Sequence, residues 1–62
     1  MQDMMARLER LRKEAAECSL IRDLAADPVK RQLFTRLADH LSDLAAEVEA
    51  VIKASLNKEE SA

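Results

Sequence analysis

The sequence predicts an all-α protein: an antiparallel two-helix hairpin that dimerises into a four-helix bundle. Three observations carry that expectation. The 62 residues include no glycine, one proline and one aromatic residue, amid many Ala, Leu, Glu and Arg, the profile of a helical bundle or coiled coil. The single proline, Pro28, follows Asp27 near the middle of the chain. The apolar residues on both sides of it recur at alternating steps of three and four, the spacing of a helical seam.

The first helix is expected over about residues 3–25, with Asp3 as its N-cap. Met4, Leu8, Leu11, Ala15 and Cys18 form its seam. Beyond Cys18 the seam reaches Arg22, and Leu20, Ile21 and Leu24 take over on a wider face. They are expected to plug the turn end against Val29, Leu33 and Phe34. A partner surface centred on Leu20 is the alternative.

The turn falls at residues 26–27. Proline cannot donate a backbone hydrogen bond, and in a continuous helix its ring would meet the carbonyl of Leu24. It also holds the residue before it out of the helical region. Asp27 is a strong N-cap and Pro28 a favoured first helical residue, so the pair ends one helix and begins the next. A connection this short favours antiparallel neighbours.

The second helix is expected from Pro28 to about residue 56, with a frayed tail over residues 57–62. Phe34, Leu37, Leu41, Leu44, Val48 and Val51 form its seam, with Ala38, Ala45 and Ile52 alongside. Reversing the chain at Asp27 sets Leu37 opposite Cys18, Leu41 opposite Ala15, Leu44 opposite Leu11, and Val48 opposite Leu8. Met4 then falls opposite Val51 and Ile52. Two helices cannot enclose so broad a stripe, whereas two hairpins face to face can. Phe34, Leu37, Leu41, Leu44 and Val48 are therefore the expected dimer core.

The whole chain is one small domain, and no apolar run is long enough to cross a bilayer. The first residues lack the layout of a signal peptide. Cys18 is the only cysteine, which excludes an internal disulfide and suits a reducing cytoplasm. Residues 1–36 carry eight Lys/Arg and six Asp/Glu, residues 37–62 two and six. This asymmetry is expected to be consumed by pairing of Arg7, Arg10 and Arg12 with Asp43, Glu47 and Glu49 across the hairpin. Along the first helix, Asp3–Arg7, Glu9–Lys13 and Arg10–Glu14 stand four residues apart.

Catalysis is not expected. There is no glycine-rich phosphate loop, and two bare helices offer little concave pocket. His40 has Asp39, Asp43 and Glu47 nearby, but a lone histidine among surface carboxylates reads as a solvent-touching side chain rather than a metal ligand. Cys18 reads as a small core hydrophobe. No cofactor, metal or small-molecule substrate is indicated.

Glu14-Ala15-Ala16-Glu17-Cys18, then Leu24-Ala25-Ala26-Asp27-Pro28, Lys30-Arg31, Phe34, Leu37-Ala38 and His40-Leu41 through Leu44-Ala45 carry a resemblance. Over about residues 14–52 the chain resembles a loose group of short helical proteins common in rhizobia and related alphaproteobacteria. The group brings no known activity, so the resemblance implies a bacterial cytosolic hairpin and no more. In architecture alone the hairpin is similar to the Rop type of plasmid RNA-binding protein.

The leading functional expectation is a non-enzymatic homodimer acting as an interaction or regulatory module. Its contacts with another protein would run through Met1, Met4 and Met5, whose flexible thioethers suit adaptable surfaces, or through Leu20. The alternative is a Rop-like RNA binder. It would use Lys30, Arg31 and Arg36 from both chains, basic residues in the first turns of a helix where the macrodipole disfavours them.

Overall fold

The computed structural model describes residues 2–61, with side chains through Asn57. Helix α1 spans Gln2–Leu24 and helix α2 spans Pro28–Ser61. They pack side by side along an elongated hairpin whose longest extent is 53 Å. That length is α2 itself, because 34 residues at about 1.5 Å each give roughly 51 Å.

The boundaries differ from the sequence expectation at three ends. Helix α1 begins at Gln2, so Asp3 lies within the first turn and complements the dipole there rather than capping it. It stops at Leu24, one residue early. Helix α2 runs on to Ser61, past the expected end at residue 56, since nothing from residue 53 onward breaks a helix. Ala62, at the end of the expected frayed tail, lies outside the described residues.

The reversal has the local chemistry read from the sequence. The Val29 N–H donates to Asp27 Oδ1 at 2.9 Å, an N-cap bond to the second helical residue. The Arg31 N–H donates to the Asp27 carbonyl at 2.9 Å, the first bond of the α2 ladder. On the other side, the Ala25 N–H closes the last turn onto the Arg22 carbonyl at 3.2 Å. Arg31 bridges the two helices: its guanidinium donates to the Ala25 carbonyl at 2.9 Å, satisfying an acceptor at the negative end of α1. No described residue has positive φ, so the chain turns without glycine.

The α1–α2 interface is rotated from the one expected. Leu8, Ala38, Ala45 and Ile52 are the buried hydrophobic residues. Leu8, Ala45 and Ile52 form one cluster, against which Met4, Leu11 and Val48 pack. The column Ala38, Ala45, Ile52, expected on the flank of the α2 seam, thus faces α1. Leu37 and Val51, expected at its centre, are exposed, and Phe34, Leu41 and Leu44 are half-buried. Alanine explains the choice. A column with two small side chains lets α1 approach closely, so that Leu8 and Leu11 fill the space the alanines leave.

Candidate interaction surfaces

The rotation leaves an apolar column on α2 uncovered. Leu33, Leu37 and Val51 are all exposed and Leu44 is half-buried. At 100° per residue, Leu37, Leu44 and Val51 fall on one line along the helix. Leu41, Val48 and Phe34 lie between this line and the buried one, each half-buried. Of the expected dimer core, Leu37 and Leu44 lie on the uncovered line, while Phe34, Leu41 and Val48 lie between it and the face packed on α1, with Val48 against the buried cluster.

The edge of this column farthest from α1 is charged in a fixed order. Arg36 and His40 come first, then Asp43 and Glu47, all exposed. Among the described residues these four form no ion pair. The pairs present are Arg12 with Glu49, Arg22 with Asp23 at 3.1 Å, and Lys53 with Glu49 at 3.3 Å. Arg12–Glu49 is thus the one ion pair between the helices among the described residues, drawn from the two groups that were expected to pair. It lies on the opposite flank, because Glu49 and Val51 stand about 200° apart on the helix. Arg7 and Arg10 do not reach Asp43 or Glu47 and instead flank a shallow groove with Asp3, Met4 and Ala6. The pairs expected along α1 are not formed either. Rotating α2 brings Glu49 round to Arg12 and carries Asp43 and Glu47 away from α1.

The turn end forms a second apolar surface. Leu20, Ile21, Leu24, Val29 and Leu33 are all exposed, Leu24 at 76% and Val29 at 73%. The expected plug does not form. The three-residue reversal and the capping bonds hold the helix ends at a fixed spacing, and these side chains project outside it. Leu20 and Met5 are exposed as partner contacts would need to be, whereas Met4 is spent in packing against the core. Met1 lies outside the described residues. A shallow open groove beside the turn is lined by Ala26, Pro28, Val29, Arg31, Gln32, Thr35 and Arg36. The Thr35 hydroxyl donates back to the Arg31 carbonyl at 2.8 Å and so has its own partner.

The basic trio is dispersed. Arg31 is tied to Ala25, while Lys30 and Arg36 are exposed. What compensates Arg31 is the carbonyl at the end of α1, a partner any hairpin this tight supplies, while Asp23 pairs with Arg22 and Asp27 caps α2. His40 is exposed and Cys18 half-buried with a free thiol. No three His, Cys, Asp or Glu among the described residues are grouped to hold a metal ion. No described helix is long and apolar enough to cross a membrane.

The accessible surface is 5022 Å², against about 4,000 Å² for a compact monomer of this mass. The excess of about 1,000 Å² is comparable with the ~800 Å² each partner contributes to a standard protein interface.

Set against known protein families, curated proteins and solved structures, the chain matches none of them.

Proposed function

We propose that the protein is a non-enzymatic interaction module whose working form is a cytoplasmic homodimer, two hairpins packed as a four-helix bundle. The carrying observation is the exposed column of Leu33, Leu37 and Val51 on α2, continuous with half-buried Leu41, Leu44 and Val48. Monomeric surfaces rarely leave a long contiguous apolar strip uncovered. A second copy presents the same strip, so a twofold interface is self-complementary. The exposed turn end, with Leu20, Leu24 and Val29, remains outside that interface and is the surface the dimer offers to another protein.

The RNA-binding alternative draws less support. Of its three cations, Arg31 is engaged with α1, and Arg36 shares an edge with Asp43 and Glu47, whose charge would repel phosphate.

Sedimentation equilibrium tests the proposal. Wild-type protein is expected at twice the 7.0 kDa chain mass, and the double variant Leu37→Gln/Val51→Gln at the monomer mass, its helicity falling with its association. A wild-type protein that sediments as a monomer at ~100 μM would overturn the proposal.

A further inference from the structure

We infer that the second copy docks on α2 antiparallel, with the two turns at opposite ends of the bundle, an inference that rests on the homodimer proposed above. Two independent patterns on α2 carry it. The first is the apolar strip, whose steps fix how two strips interleave when one is reversed. Phe34 then meets the partner's Val51, Leu37 the partner's Val48, and Leu41 the partner's Leu44. Every level of the strip is filled, and the symmetry axis crosses between residues 42 and 43.

The second pattern is the charged edge. Arg36 and His40 lie on one side of residues 41–42, Asp43 and Glu47 on the other. In an antiparallel pair of helices the same edge of each faces the other in reverse. Arg36 then lies alongside the partner's Glu47, and His40 alongside the partner's Asp43. The reversal point of the charges falls within about one residue, roughly 1.5 Å, of the reversal point of the strip. A parallel dimer fills the strip as well, but its twofold axis runs along the helices and sets the charged edge of each copy beside the opposite, α1-covered edge of the other. Only the antiparallel pairing brings the two charged edges together, with opposite signs level. The free state of these groups matters here. None of the four is paired among the described residues, so the docking that reverses the edge satisfies them without breaking the Arg12–Glu49 bridge on the other flank.

The other edge of the strip is compatible. It is the column of Ala38, Ala45 and Ile52, already covered by α1. The uncovered column is turned roughly 100° from it, near the right angle a helix makes with its two neighbours in a square four-helix bundle. The antiparallel arrangement also sets the N-terminus of each α2 near the C-terminal half of the other, so the two macrodipoles oppose.

Distances between single nitroxide labels in the full-length dimer test this. In a Cys18→Ala background, one protein carries a label at Ser42→Cys and another at Lys53→Cys, both at exposed positions. Antiparallel docking puts the two Ser42→Cys labels level near the axis. It displaces the two Lys53→Cys labels by about 30 Å along the helices, so the second distance exceeds the first by at least ~15 Å. Two similar distances would show parallel docking, overturning the inference while leaving the homodimer intact. Absence of dipolar coupling at both sites, with monomer mass in sedimentation, would overturn the homodimer and the inference with it. As a second check, Arg36→Glu should weaken association severalfold and Arg36→Glu/Glu47→Arg should restore it. Failure of the charge swap to restore a dimer weakened by the single change would count against the reversed edge.

Discussion

Adjacent columns of α2 have opposite fates. Ala38, Ala45 and Ile52 are shut against α1, while Leu37, Leu44 and Val51, each one residue earlier, are exposed or half-covered. The larger side chains are the ones left out. Close approach of two helices is governed by what the backbone separation permits, so alanines draw the neighbour in and leucines are displaced to a second face. A helix with two apolar columns about 100° apart has one neighbour too few in a hairpin. The difference between the columns is the structural reason to expect a second copy.

Leu41 stands between the two columns and breaks both at once. Leu41→Arg places a charge where the hairpin and the proposed second copy would converge, and a buried unpaired charge costs more than this small domain can hold. Helicity in circular dichroism and dimer mass in light scattering should be lost together. A helical, cooperative monomer would show the two faces to be independent.

Neighbouring substitutions sharpen the contrast. Ile52→Ala should destabilise the hairpin by roughly 2–5 kcal/mol in denaturant titrations, as truncation of buried Leu or Ile does. Val51→Ala, one residue away, should weaken association, so that its destabilisation grows as the protein is diluted. Equal effects of the two on stability at every protein concentration would erase the distinction between the columns.

How far the sequence disclosed this depends on which residues are asked. The Asp27-Pro28 reversal was legible because capping and proline geometry act within three or four residues. The presence of an apolar stripe on α2 was legible from its spacing, and so was ion pairing between arginines of α1 and carboxylates of α2, though not that Arg12 and Glu49 would be the pair. The rotation of α2 was not. Helical periodicity locates a stripe to within a column, and choosing between Leu37 and Ala38 requires the packing distance of a helix that is remote in sequence. The alanines stood beside the expected seam, and the helix that packs on them is the chain's own α1. The turn-end leucines misled for a related reason. Their apolar character announces burial, and the short reversal leaves no volume beneath them for it. The charged edge could have been found earlier, since its order of signs lies in the sequence, but it acquires meaning only once the adjoining strip is known to be uncovered.

The turn should respond more mildly than the core. Asp27→Ala removes the N-cap bond to Val29 and should cost about 1 kcal/mol, measured as a lowered midpoint in denaturant. Asp27→Asn, which retains an acceptor, should cost less. An equal loss in both would point to the carboxylate charge rather than the cap. Smallest of all is the bridge between the helices. Arg12 is exposed and Glu49 half-buried, so a double-mutant cycle through Arg12→Ala and Glu49→Ala should return a coupling of about 0.5 kcal/mol that fades with added salt. A coupling insensitive to salt would mean that the pair is shielded by something besides the hairpin.

The most direct test of the second face is the thermal midpoint of the wild-type protein across a hundredfold range of concentration. If folding and association are one event, mass action adds about 2.7 kcal/mol over that range. The midpoint should then rise by roughly 10 °C for a dimer of this size. A midpoint that stays fixed across the range would show that a single hairpin folds alone, with Leu37 and Val51 left in water.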